Sequence, residues 1–159
     1  MRDINMRMVS GFVAMGLALM AAGSMALGQQ PLPDALEGRF RGTLVDSGGE
    51  FTVIISRTGS GFTVAWPPRI VARFEPAGHP GVFRTREETQ VLEGNPVYWA
   101  RLERENLVVY AAQIGKLGGY DIANFVYTPS DDGLDLVIRR IVTGAEPQIS
   151  SGQLKRYGG

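Results

Sequence analysis

The chain reads as an all-β protein: a single antiparallel up-and-down barrel of about 8–10 strands, with a two-sheet sandwich as the runner-up. Three observations predict this. Apolar residues alternate with polar ones at period two in segment after segment, as in Tyr98, Ala100 and Leu102 against Trp99, Arg101 and Glu103. Short turn signals rich in Gly, Pro and Asp separate the segments, so consecutive strands are neighbours. After residue 28 no helix-period segment of useful length remains. A meander with one apolar face best avoids exposed edges by closing on itself, which favours the barrel.

Taken in order, the chain opens on a segment unlike the rest. Arg2 and Arg7 precede an uncharged run from Met8 to Gly28, apolar at its centre and ending in small residues around Ala26-Leu27-Gly28. This predicts a cleaved signal peptide over residues 1–28 and hence a periplasmic or secreted protein. Residues 29–36 form an extended lead-in kept straight by Pro31 and Pro33, and Asp34-Ala35-Leu36-Glu37 suits one helical turn capped by Asp34. The barrel is expected from residue 37 to residue 159.

Strands follow at Gly38–Asp46, Glu50–Arg57, Phe62–Trp66, Arg69–Glu75 and Val82–Arg86. The turns Ser47-Gly48-Gly49 and Thr58-Gly59-Ser60-Gly61 and the Pro67-Pro68 stop divide them. Glu87–Asn95 is the least patterned stretch and suits a poorly paired edge strand or a lid. The hairpin Val97–Glu103 and Leu107–Ile114 is the clearest in the chain. Tyr120–Tyr127 comes next, with Pro129 to Gly133 as its turn, then Leu134–Val142, a loop over Thr143–Ser151, and a last short strand Gly152–Tyr157.

Composition excludes several functions. Removing residues 1–28 leaves 14 basic and 15 acidic residues, with no cationic excess to neutralise a phosphate backbone, so nucleic-acid binding is not expected. The chain has no cysteine, so the domain has no disulfide to close it and must fold on its core. One histidine and no cysteine exclude an ordinary zinc site. A membrane-spanning barrel would turn its apolar face outward, whereas the non-core faces here carry Arg39/Arg41/Thr43, Arg73/Glu75 and Trp99/Arg101/Glu103. No membrane insertion of the mature domain is expected.

Gly38-Arg39-Phe40 after a short helical turn, with a basic residue late in the chain (Arg140, or Lys155/Arg156) to pack across the aromatic, resembles the lipocalin and avidin superfamily of small barrels. Phe40 stands where those proteins carry Trp. The resemblance implies a barrel that binds small, largely apolar molecules at its open end and is usually not an enzyme.

Residues with chemical capacity each have a structural role to compete with. His79, between Gly78 and Pro80, reads as a surface loop residue with no nucleophile or orienting carboxylate beside it. Asp131, Asp132 and Asp135 around Gly133 read as a hairpin turn, since they lack the ligand ladder of a calcium loop. Gly115-Lys116-Leu117-Gly118-Gly119 lacks the glycine and hydroxyl of a phosphate loop. No catalytic residue, metal or cofactor is assigned. The inward positions favoured for ligand contact are Arg140, Asn124, Tyr98, Tyr110 and Trp66, with Arg140 the anchor for a polar head. Trp99 shares the opposite face with Arg101, where it either contacts a partner or stacks beneath Arg101. The expected function is therefore an exported barrel for a small apolar or amphipathic ligand. The alternatives are an interaction protein of the cell envelope, or a barrel-type enzyme without identifiable catalytic residues.

Overall fold

The computed structural model describes residues 30–85 and 91–158. The predicted signal peptide, residues 86–90 and Gly159 lie outside the described residues. Ten strands form one closed antiparallel barrel: β1 (Gly38–Leu44), β2 (Glu50–Thr58), β3 (Gly61–Trp66), β4 (Ile70–Pro76), β5 (Val82–Thr85), β6 (Val97–Glu103), β7 (Asn106–Ile114), β8 (Tyr120–Ser130), β9 (Gly133–Val142) and β10 (Gln148–Arg156). Each pairs with its sequence neighbours, and β10 returns to β1 in the register Phe40↔Arg156 to Leu44↔Gly152. The barrel, and not the sandwich, is the observed closure.

Alternation decides what faces inward. Phe40, Val53, Ile55, Phe62, Val64, Phe74, Phe83, Leu107, Val109, Tyr127, Leu134, Leu136 and Leu154 are buried inside, each with neighbours of like parity across the ladders. Phe62 packs between Phe74 and Phe83 at ring distances of 5.0 and 4.9 Å.

Because the strands alternate in direction, all connections of one kind gather at each end. The end holding Gly38 and Arg156 is closed. Leu32 of the lead-in and Leu36 of a 3-10 turn over Asp34–Leu36, both buried, plug it. Arg57 ties this plug down, donating to the Leu32 carbonyl at 2.6 and 3.2 Å and pairing with the Asp34 carboxylate. The guanidinium of Arg156 lies 4.7 Å over the Phe40 ring and donates to the carbonyls of Ala35 and Glu37. Arg156, and not Arg140 or Lys155, takes the place across the first-strand aromatic.

Three local expectations need correction. Asp34 caps nothing: the turn has no side-chain cap, and the carboxylate is taken by Arg57. Pro129 lies within β8, opposite Leu134, where β8 runs past the end of β7 and needs no amide donor on that side. The final strand starts at Gln148, so Gln148 to Ser151 is ladder and not loop. Its Ser and Gly residues hide the alternation, and pairing with β9 supplies the order that side chains do not.

Candidate functional site: the open end of the barrel

The opposite end receives the connections β1–β2, β3–β4, β5–β6, β7–β8 and β9–β10. Here the inward side chains are only partly buried: Leu44, Phe51, Tyr98, Phe125 and Ile138 pack against the core from above. Trp66, at the end of β3, forms the floor, 5.8 Å from the Tyr98 ring and 5.5 Å from Phe125, and Phe125 lies 6.4 Å from Phe51. Four aromatic rings from β2, β3, β6 and β8 therefore line one mouth.

A polar contact sits beneath them. The Trp66 indole N–H donates to the Tyr127 hydroxyl at 2.8 Å, inside the barrel. Satisfying the indole donor makes a buried Trp tolerable at this depth. Burial pushes the Tyr127 phenol pKa upward, outweighing the hydrogen bond from Trp66, and burial likewise raises that of Tyr98. Both stay neutral hydroxyls across the physiological range.

Arg140 and Asp121 stand above the aromatic ring. Both have the inward parity of their strands, β9 and β8, and they meet in a two-pronged contact: Nε to Oδ1 at 2.9 Å and an Nη to Oδ2 at 2.5 Å. The hydrogen bonds from Arg140 hold the Asp121 carboxyl below its ordinary pKa of 3.8, and Asp121 raises that of Arg140 in return. A lowered carboxylate pKa means the contribution is complete above about 3.8 and is lost as pH falls through the depressed value. Both groups are substantially exposed, so the pair positions charge more than it stabilises the fold. In a carbon-13 NMR titration the Asp121 carboxyl is expected to titrate below its ordinary value, and Arg140→Gln is expected to move it upward. An unchanged titration in that variant would sink the pairing.

Of the residues named from the sequence, Trp66, Tyr98 and Arg140 meet at this mouth. Asn124 and Tyr110 do not, and their assignment as inward residues is corrected. Tyr127 and Phe125 point inward, so Asn124 points out, and the outer row reads Trp99↔Tyr110↔Asn124↔Arg139. The strand β8 has bulky apolar groups on both faces, Ile122 and Val126 against Phe125 and Tyr127, so its own sequence leaves the parity open. Trp99 stacks flat on Tyr110, 5.1 Å away and 5° from parallel, while Arg101 turns to Glu103 at 3.3 Å. Stacking beneath Arg101 is therefore not what holds Trp99. Asp121 was missed, although its parity with Phe125 would have shown it once that strand was oriented.

Among the described residues no group of three or more His, Asp or Glu side chains is placed to hold a metal ion, and no helix is long and apolar enough to cross a membrane. A shallow outer groove of about 530 Å³ runs beside the β2–β3 turn, lined by Thr58, Gly61, Thr63, Arg73, Phe74 and Glu75, at the end away from the aromatic mouth. No family model, curated protein or solved structure matches the chain, so fold and site rest on the geometry above.

Proposed function

We propose that this is an exported, lipocalin-like carrier that takes the apolar part of a small amphipathic molecule into the mouth of its barrel. One observation carries the reading. The barrel is sealed at the end held by Arg57 and Arg156, while its other end leaves Phe51, Tyr98 and Phe125 half-buried around the Trp66 floor. Apolar walls with few convergent polar groups suit such a ligand. Arg140 supplies the polar contact for its head, and because Asp121 occupies two of its donors, an anionic head must share or displace that carboxylate.

Uptake of 11-(dansylamino)undecanoic acid, followed by the probe's own emission, tests this. Ala123 faces inward opposite Arg140 and is partly exposed, so Ala123→Trp narrows the mouth without entering the packed core. It is expected to weaken uptake roughly tenfold, about 1.4 kcal/mol, with an unchanged unfolding curve. A probe that binds no tighter than about 1 mM, or one indifferent to Ala123→Trp, would end the reading.

A second reading rests on the outer wall. The Trp99–Tyr110 stack is only half-buried and adjoins Val97, Ala112 and Ile122, which suits contact with another envelope protein.

A further inference from the structure

The exposed large apolar side chains of the described residues are not scattered. Val45, Ile70, Val71, Leu117, Tyr120, Ile122, Ile141 and Ile149 all belong to the open end. They sit within three residues of the connections β1–β2, β3–β4, β7–β8 and β9–β10, four of the connections around the rim, with Ile122 and Ile141 facing each other across β8 and β9. None lies at the closed end, whose surface is charged (Asp34, Arg57, Arg104, Glu105, Asp131, Asp132, Lys155). A lone exposed Leu or Val needs no explanation, but segregation of the whole set to one end does.

Leu117 is the sharpest case. It is fully exposed at the tip of a turn closed by the Gly118 N–H donating to the Gly115 carbonyl, where a polar residue would serve the turn equally well. Val45 and Ile149 are 77% and 64% exposed, and packing in this chain asks for neither. A protein partner would be met by a continuous patch on one face. Apolar side chains spread over four connections encircling an opening fit a flat, deformable surface that each connection can enter.

Charge narrows the choice. Arg69 precedes Ile70, Lys116 precedes Leu117, and Arg139 lies opposite Ile149 and two residues before Ile141. Most nearby acids are engaged: Asp46 accepts the Ser151 N–H, Glu50 pairs with Arg41, and Asp121 with Arg140, leaving Glu146 of the β9–β10 connection against the cations Arg69, Lys116 and Arg139. An apolar side chain with a cation at its base is the arrangement that seats in the acyl boundary under anionic headgroups.

We propose that the rim of the open end docks on a lipid bilayer containing anionic headgroups, presenting the mouth to the membrane so that an amphipathic lipid passes between bilayer and barrel without crossing water. This deepens the carrier reading and rests on it for its purpose, yet the two can fail separately.

The test is vesicle flotation of the chain from Gln29 onward. The core of the described residues runs from Leu32 to Leu154, and the apolar run at Phe12–Met20 would bind lipid by itself. Vesicles are phosphatidylcholine with about 30% phosphatidylglycerol. The chain is expected to float, and the combined variant Leu117→Ser, Val71→Ser, Ile149→Ser to float at least about tenfold less with an unchanged melting temperature. Lys116→Gln is expected to cost about fivefold on these vesicles and little on phosphatidylcholine alone. A chain that stays at the bottom of the gradient overturns the proposal, as does equal flotation of wild type and rim variant. A rim-dependent dimer without flotation also overturns it, since a second copy then covers the rim. Dansylundecanoate uptake in vesicle-free buffer separates the two readings. Uptake without flotation removes docking and leaves the carrier, whereas rim-dependent flotation without uptake leaves docking and removes the carrier.

Discussion

Phe40→Ala is expected to lower the unfolding free energy by about 3–5 kcal/mol, measured by urea denaturation. Phe40 is completely buried at the closed end of the barrel, in the first strand, and its ring is covered by the Arg156 guanidinium. Truncation removes the ring's own burial, leaves a void that β-ladders on both sides cannot collapse into, and takes away the platform under Arg156. Arg156→Gln separates the contributions. It removes an exposed cation–π contact and the hold on Ala35 and Glu37 while leaving the ring, and is expected to cost about 1–2 kcal/mol. If Phe40→Ala costs under about 1 kcal/mol, the closed end is not packed as described.

Gly42→Ala is expected to cost about 3 kcal/mol or more, a large effect for a single methyl group. Gly42 lies in β1 between Phe51 of β2 and Leu154 of β10. A Cβ there would overlap the Gln153 carbonyl oxygen, a backbone atom that cannot rotate aside. Relief requires β1 and β10 to part where the barrel closes, with loss of ladder hydrogen bonds. Gly119→Ala is the control: the nearest atom to its Cβ is Thr143 Oγ1 at 3.8 Å, and a change within about 0.5 kcal/mol is expected. Equal thermal shifts for the two variants would show that the β1–β10 seam is looser than its register implies.

How much of this was readable beforehand differs from strand to strand. The hairpin β6–β7 was legible because Ala100 and Leu102 alternate with Arg101 and Glu103, so polarity assigns the faces. In β8 polarity assigns nothing. Asn124 is the strand's one uncharged amide and shares a face with the apolar Ile122 and Val126, so its sequence suggests an inward position, whereas the pairing with Tyr110 puts it outside. Its Oδ1 is buried without a hydrogen-bond partner, which further disguises it as an interior residue. Tyr110 was misplaced for the related reason that the Trp99–Tyr110 stack buries an outer surface as well as an inner one would be buried. Strand β10 fell short because Ser150, Ser151 and Gly152 carry no apolar alternation, their order coming from neighbours on both sides. The mouth was half legible: Trp66, Tyr98 and Arg140 are strong residues in strong strands, but Asp121 gains its role only from a cross-strand meeting with Arg140. The segregation of apolar side chains to one rim could not be read at all without knowing which turns share an end.

The seam between β1 and β10 also dictates when the domain can exist. Arg156 reaches the Glu37 carbonyl across 119 residues of chain, and the Tyr157 amide donates to Arg39 at 3.0 Å. Without its last strand the chain can form only an unsealed sheet with two bare edges. Hairpins can form early, but contacts so distant in sequence make closure the slow event. The same adjacency makes the starting point of the fold arbitrary. Joining the two ends with a short linker and opening the chain at the Arg104-Glu105 turn would give a permuted barrel with every ladder intact, in which the seam zips first and the β6–β7 hairpin last.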